Sequence, residues 1–404
     1  MSSLILTNIK QVYHPDWVDH TGALSIRIED GIIREISGDE HASGPNVLNC
    51  SGLIALPGFV DSHTHLLFAG SREDEFFLRA QNVPYLEILK QGGGIYNTVD
   101  AVRRASEEDL IRNGLRFLDA ALRQGITTIE IKSGYGLDFE NEDKMLRIIR
   151  KLDEMHPVDI VPTYLVHTVP KDWQRDKYIQ TVMNEMIPEF RKYTDWFDVF
   201  LEEGVFGLEE TRQMIRAALD SGYKIGLHTN QVHDLGGVSL ADEMGVRHVS
   251  HLEVLSDEDA DRILQNSNLY AVFLPGAESF VFSERIGQIH KLLDIPERIV
   301  LSTDFNPGSS PVLSPTEIMA MAVLRYRLSD PKRLIDVFTA NPAEMLFLSD
   351  TGKIETGKNA DLILLDLERF EQVPYFGTFN MIRYVIKRGR VCPVHPDRLE
   401  PEPT

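Results

Sequence analysis

"LPGFVDSHTHLLFAGSREDEF", Leu56 to Phe76, carries two histidines one residue apart, directly after a short apolar run. Read as a strand, the run alternates its side chains between two faces, so Asp61, His63 and His65 share one of them. Taken alone, an H-x-H pair is weak evidence for a metal site, and a polar strand end explains it as well. Its meaning depends on what the rest of the chain places beside it.

The stretch opens a repeating pattern. Further strand-like runs follow as ITTIEIKS (126–133), DIVPTYLVH (159–167), WFDVFLEE (196–203), KIGLHTNQ (224–231), RHVSHLEV (247–254), LYAVFLPG (269–276) and RIVLSTDF (298–305). Between several of them lie amphipathic helical stretches such as EEDLIRNGLRFLDAALRQG, EDKMLRIIRKLDEMH and LEETRQMIRAALDSG. Strands and helices alternating in this way over roughly 250 residues predict an α/β fold, a (β/α)8 TIM-like barrel. A doubly wound open sheet would need a glycine fingerprint after the first strand, and FAGSRED is not one. Both ends of the chain read differently. LSIRIEDGIIREI alternates apolar and polar residues around Asp30-Gly31, a type I′ hairpin signal, and GKIETGKNADLILLDL and IRYVIKRGRV are strand-like near the C-terminus. The expected organisation is a small composite β-sandwich domain from residues 1–56 and 356–404, and the barrel over 57–355.

Composition narrows the partners. The chain has 404 residues, 43% hydrophobic and 25% charged, which is ordinary for a globular protein with a large core. Its 62 acidic and 41 basic side chains leave a net charge of −21, which repels nucleic acid and anionic membranes. A small anionic substrate needs a local cation instead. Two cysteines, Cys50 and Cys392, without C-x-x-C spacing, argue against a disulfide framework or a cysteine metal site. The opening MSSLILTNIKQVYHPD lacks a basic n-region and no apolar run reaches membrane-spanning length, so a cytoplasmic protein is expected.

The later strands change the weight of the H-x-H pair. KIGLHTNQ ends near His228, RHVSHLEV carries His251 and RIVLSTDFN ends near Asp304, each close to a strand's C-terminal end, where barrel active sites lie. Any one of them is more often a structural residue. Together, three imidazoles and a carboxylate suit Zn²⁺ or another divalent first-row ion with room for a water, and His63 and His65 are read as ligands.

The H-x-H after PGFVD, the strand-end histidines, the final Asp and GKIETGKNADLILLD resemble the amidohydrolase superfamily. Within it, GSREDEF, YLEILKQGGGI, KSGYGL, EEGVF, LGG and TDFNPGSSP resemble the imidazolonepropionase family, with the similarity running from about Pro57 to Asp366. The resemblance implies one divalent metal ion, Zn²⁺ or Fe²⁺, held by His63, His65, His228 and Asp304. It implies hydrolysis of 4-imidazolone-5-propanoate to N-formimino-L-glutamate in histidine degradation, by metal-activated water attacking the ring amide. Asp304 would take the water's proton and pass it to the leaving nitrogen, while His251 orients the water or polarises the carbonyl. Gln231 would be both catalytic and substrate-facing, and Arg72, Tyr135, His167, Asn306, Gly308, Ser309 and Tyr85 would contact the substrate. A homodimer is also implied.

Residue chemistry weighs each point. Arg72 offers a bidentate fork for a carboxylate, although by itself it would pair with Glu73 or Glu75. Binuclear relatives use a lysine at the end of the fourth strand; WFDVFLEE has none, and Lys132 is on the second. Deaminases place a proton-shuttling Glu three residues after the fifth-strand histidine, where this chain has Gln231. Thr229, Asn230, Leu201 and Glu278 depart from the family pattern at positions expected on the pocket wall, so a related cyclic amide or imide is the alternative substrate. A non-catalytic scaffold is the alternative from another class, and the complete ligand set argues against it. QGGGI (91–95) has no Lys-Ser/Thr after it, so it reads as an active-site loop and not a phosphate loop.

Overall fold

The computed structural model describes residues 3–14, 21–38, 46–83, 87–88, 93–392 and 394. Two sheets organise them. The first is parallel throughout and runs in chain order: β6 (Phe59–Asp61), β7 (Ile126–Lys132), β8 (Asp159–Val166), β9 (Trp196–Phe200), β10 (Lys224–Thr229), β11 (His248–His251), β12 (Tyr270–Phe273) and β13 (Ile299–Leu301). The barrel predicted from the alternation is there, with each predicted run supplying one strand. Its seam lies just past the ends of β6 and β13, where Asp304 N–H donates to His63 O (3.0 Å) and His65 N–H donates to Phe305 O (2.9 Å).

The helices between the strands begin where the sequence provides caps. Ser106 Oγ accepts the Asp109 N–H at the head of helix Glu107–Arg123, and Asp138 does the same for Asn141 in helix Phe139–Met155. Three acidic residues, Glu107, Glu108 and Asp109, sit in the first turn of the former, where the helix dipole favours them. Their apolar faces cover the strands, and Leu118, Leu122, Met145, Ile149 and Leu152 all join the main core. A smaller apolar cluster at the N-terminal side of the barrel joins Val60, Trp196, Tyr270, Val272 and Val300 to Ala343, Met345 and Leu346. With that end filled, the polar residues of the strands collect at the other.

The second sheet is built from both ends of the chain: β1 (Ser3–Val12), β2 (Thr21–Glu29), β3 (Ile32–Gly38), β4 (Val47–Asn49), β5 (Ile54–Pro57), β14 (Leu362–Leu365), β15 (Ile382–Lys387) and β16 (Arg390–Cys392). The order is β16-β15-β14-β5-β1-β2-β3, with β4 also on β1; the pairs made by β1 with β4 and β5 are parallel and the rest antiparallel. Asp30 and Gly31 both have positive φ (50° and 79°), as a type I′ turn requires. Beyond that turn the sheet curls back on itself: Ile33 N–H donates to Lys358 O, and Ala360 N–H to Gly31 O. Leu6, Ile9, Ile26, Ile28, Ile33, Leu362, Leu364 and Ile386 fill the space so enclosed, the sandwich core expected from the termini.

The two sheets meet at Gly125, just before β7. A Cβ there would lie 2.8 Å from Ile382 Cδ1 and 3.2 Å from Phe59 Cδ2, and its φ of +83° suits glycine. Beside this contact the buried Lys387 ammonium donates to Asp361 Oδ2 and to Asp159 Oδ2, both at 2.7 Å, joining β15 to the start of β8. Among the described residues no helix is long and apolar enough to cross a membrane. Removing one partner of such a buried pair leaves Asp361 uncompensated. Lys387→Met is expected to cost about 3–5 kcal/mol in denaturant unfolding while turnover per folded molecule is unchanged; an unaltered midpoint would refute the locking role.

Candidate active site

The groups singled out in the sequence converge at the C-terminal ends of the barrel strands. His228 lies within β10 and His251 ends β11, whereas His63 and His65 follow the end of β6 and Asp304 follows the end of β13. The strand expected through "DSHTH" ends at Asp61, yet the backbone beyond it stays paired on both sides. Lys132 N–H donates to Thr64 O (2.9 Å) on one flank and the seam bonds to residues 304 and 305 hold the other. Asp61 shares the interior but not the site: its carboxylate accepts from Thr303 N–H (3.1 Å) and Oγ1 (2.6 Å).

Several residues here hold left-handed backbone without being glycine: Asn230 (φ 55°), His251 (φ 87°), Leu252 (φ 67°) and Asp304 (φ 51°). Such residues are uncommon, and their gathering at three strand ends marks strained, over-determined backbone of the kind found at functional sites. The turn of the chain at each point aims the preceding or resident side chain across the barrel mouth.

Among the described residues, two sets of ligand-type atoms lie within 4.8 Å of one another, and His63 belongs to both: His63, His228 and His251, and His63, His65 and Asp304. Asp304 Oδ1 is 3.5 Å from His63 Nε2 and 3.4 Å from His65 Nε2. Metal–nitrogen and metal–oxygen bonds near 2.1 Å place the corners of a tetrahedron about 3.4 Å apart, so these separations fit a first-row ion. Among the described residues the buried His63 Nε2 and His228 Nε2 have no hydrogen-bond partner, which in a buried site is costly unless something else engages them. Behind them the other ring nitrogens are tied down: His228 Nδ1 donates to Asp198 Oδ1 (2.9 Å), and His63 Nδ1 lies 3.1 Å from Ser250 Oγ. A carboxylate can only accept, so the His228 proton is on Nδ1 and its lone pair on Nε2. The group is suited to a metal ion.

The charges agree. Burial holds His63 well below its usual range, takes His65 down to about 3 and His228 down to about 4, so all are neutral imidazoles, the form that ligates. Burial pushes the Asp304 carboxyl up to about 6, against the pull of the neighbouring His251, His228 and Lys132. His251 differs. Burial lowers it, but the Glu253 carboxylate, 3.4 Å from Nδ1, together with the charges of Asp304 and Glu278, holds it above its ordinary value.

The implied substrate contacts surround this centre. His167 stacks on His65 (ring centroids 5.5 Å) and Tyr135 lies 6.0 Å from His65 and 5.7 Å from His167. Tyr135 is aimed by the buried Glu142, whose carboxylate accepts the N–H groups of Gly134, Gly136 and Leu137 (2.9, 2.7 and 2.7 Å). Asn306 Nδ2 donates to Asp304 Oδ2 (3.1 Å), and its Oδ1 accepts from the N–H groups of Gly308 (2.8 Å) and Ser309 (2.7 Å). Asn306, Gly308 and Ser309 therefore form one self-bonded loop against Asp304. Gln231 sits half-buried after β10 on a segment held by Glu202, which accepts from Val232 N–H (2.9 Å). Tyr85 lies outside the described residues, as do Gln91 and Gly92 of the glycine run.

The structure gives several of these residues partners that the sequence did not show. The Arg72 fork is engaged by Glu75, through Nε to Oε1 (3.0 Å) and Nη2 to Oε2 (2.7 Å), with Glu75 buried and Arg72 half-buried. Nη1 is the guanidinium nitrogen nearest Gly308, where a Cβ would lie 2.1 Å from it. Glu278 is not an odd charge on the pocket wall. Its carboxylate accepts from Tyr326 Oη (2.6 Å), Arg325 Nε (3.0 Å) and Gly287 N–H (2.8 Å), anchoring the segment after β12 to helix Pro315–Tyr326. Leu201 is fully buried core, and Thr229 bonds its neighbour Asn230. Asp198, Ser250, Glu253 and Glu142 were missed in the sequence. Asp198 left a signal, a lone carboxylate in the apolar run WFDVF.

Residues 206–392 match the amidohydrolase family. The chain is 36% identical to the imidazolonepropionase of Bacillus cytotoxicus over 98% of both chains. It is 39% identical to that of Bacillus cereus strain B4264, over 91% of this chain and 88% of the other. A solved Xaa-Pro dipeptidase with bound methionine has the same fold, with a TM-score of 0.71 at 16% identity over 97% of this chain and all of that one. At such identity to the curated relatives over nearly its full length, the chain belongs to the imidazolonepropionase family of amidohydrolases.

Proposed function

We infer that the enzyme hydrolyses the ring amide of 4-imidazolone-5-propanoate, giving N-formimino-L-glutamate in histidine degradation. The observation that carries this reading is the gathering of His63, His65, His228 and Asp304 in a chain whose full-length relatives are imidazolonepropionases. We propose those four as ligands of one divalent ion, Zn²⁺ or Fe²⁺, both of which accept such a set. That β9 brings Asp198 and no lysine to the site supports a single ion. An ion so held lowers the pKa of water, making hydroxide available near neutral pH.

The chain's own residues do the rest. Asp304 directs Oδ1 toward His63 and His65, and Oδ2 toward Asn306. One amide N–H leaves Oδ2 a free lone pair, so this oxygen takes the water's proton and returns it to the ring nitrogen as the C–N bond breaks. Glu253 accepts from Nδ1–H of His251 and favours the imidazolium, whose Nε2–H donates to the scissile carbonyl. Gln231, a neutral amide, orients the substrate without carrying a proton. Nη1 of Arg72 meets the propionate carboxylate beside Tyr135, and His167 flanks the ring. A related cyclic amide lacking a carboxylate is the second reading, favoured by the prior engagement of Arg72 with Glu75. The barrel of 57–355 is the catalytic unit in this proposal, and residues 1–56 and 356–404 frame it.

The test is to add the purified protein to freshly generated imidazolonepropionate and follow the ring chromophore and product mass. Accelerated loss with gain of one water, abolished by chelator and restored by metal, is expected; no acceleration with metal present would shift the assignment to another cyclic amide. Asp304→Asn is expected to lower kcat by at least about 10²-fold, and near-normal turnover would remove it as the base. In Gly308→Ala the new methyl displaces the Arg72 guanidinium, a movable group, so the fold should survive. KM is expected to rise about tenfold with little change in kcat, a loss of ground-state binding; an unchanged KM would detach Arg72 from the substrate.

A further inference from the structure

Beneath the site lies a buried charged cluster whose central lysine has no part in the mechanism above. Lys132, at the end of β7, is fully buried, and its Nζ donates to Glu130 Oε1 (2.7 Å) and Asp198 Oδ2 (2.8 Å). Both carboxylates are themselves buried. With two acceptors and no exposure, the ammonium can reach neither solvent nor substrate, and nothing about the chemistry of hydrolysis requires it there.

What the cluster holds is more telling. Glu130 and Lys132 between them take every polar group of Thr64, the residue between the two histidines of the H-x-H pair. Thr64 Oγ1 donates to Glu130 O (2.6 Å), Thr64 N–H to Glu130 Oε2 (3.3 Å), and Thr64 O accepts from Lys132 N–H (2.9 Å). On the other side of the same ammonium, the second oxygen of Asp198 holds His228 Nδ1 (2.9 Å). One cation on β7 thus links the backbone after β6, which carries His63 and His65, to the carboxylate of β9 that orients His228 on β10.

We propose that Lys132 is a positioning residue of the metal centre, cross-bracing His63 and His65 through Glu130 and Thr64, and His228 through Asp198. The proposal rests on the ligand set inferred above. Its physical basis is charge balance. Glu130 and Asp198 would repel one another without the ammonium between them, and each would swing away from the group it positions. Ligand geometry held by outer partners is what sets metal affinity, and loss of such partners typically costs 10–100-fold.

Metal release from the holoenzyme into excess chelator, followed with Zn²⁺ and with the visible spectrum of the Co²⁺ form, tests this. Lys132→Met keeps length without charge and is expected to release metal about 10–100-fold faster, with an altered Co²⁺ spectrum. Lys387→Met removes an equally paired buried lysine far from the site and serves as the control for general destabilisation. Its release rate is expected to match wild type. Glu130→Gln touches no ligand side chain and is expected to speed release in the same direction by a smaller factor. Should Lys132→Met fail to fold, Glu130→Gln decides alone, and unchanged release from it overturns the proposal. So does release from Lys132→Met within twofold of wild type, or an equal effect from Lys387→Met. A wild-type protein that binds no metal would instead overturn the ligand reading, a different failure.

Discussion

The seam between the first and last barrel strands is the constraint on which the rest depends. Two backbone hydrogen bonds, from Asp304 N–H to His63 O and from His65 N–H to Phe305 O, close the ring of strands. They also fix the carboxylate of one end against the imidazoles of the other. Because the backbone is paired at these residues, the side chains have little freedom left to search. The separation of Asp304 Oδ1 from the two histidines therefore depends on barrel closure, with the Asn306 loop holding the other carboxylate oxygen.

Burial then does opposite things to the groups so placed. It keeps His63, His65 and His228 neutral, which favours ligation, and it raises Asp304, which would favour the protonated acid. A cation at the site resolves that conflict by favouring the carboxylate, and the surrounding protein limits the cost of the remaining charges by pairing them. Glu75 with Arg72, Glu278 with Arg325 and Asp198 with Lys132 are each internal pairs. In so acidic a chain the site is electrically managed from within, by individual partners and not by the field of the whole surface.

The architecture was legible because strands buried on both faces read as apolar runs and the intervening helices keep their own period. The same logic located His228, His251 and Asp304 near strand ends. Boundaries were less legible. β6 and β13 are short by hydrogen-bond pattern, since past Asp61 and Leu301 the ladder changes to side-chain and seam bonds that sequence does not encode locally. Partners were the least legible of all. Whether the Arg72 fork meets a substrate or Glu75, and whether Glu278 is a pocket residue or an anchor for Tyr326, depends on contacts between residues far apart in the chain. Yet one trace was available. Glu130 and Lys132 stand two apart in ITTIEIKS, charges on one face of a strand that is otherwise apolar or small, and such residues are seldom buried without a specific partner.

The way the chain returns on itself also has a bearing on synthesis. Ser62 and Ser302, whose hydroxyls meet beside the seam, are 240 residues apart, and β5 pairs with β14 across a comparable span. A ribosome delivers the H-x-H segment long before the strand that carries Asp304, and the partner of β5 later still. During elongation the nascent chain therefore carries the histidines without their carboxylate, on a ring of strands that cannot yet close. Completion of the full centre is therefore a late event in synthesis, following delivery of the strand that precedes Asp304.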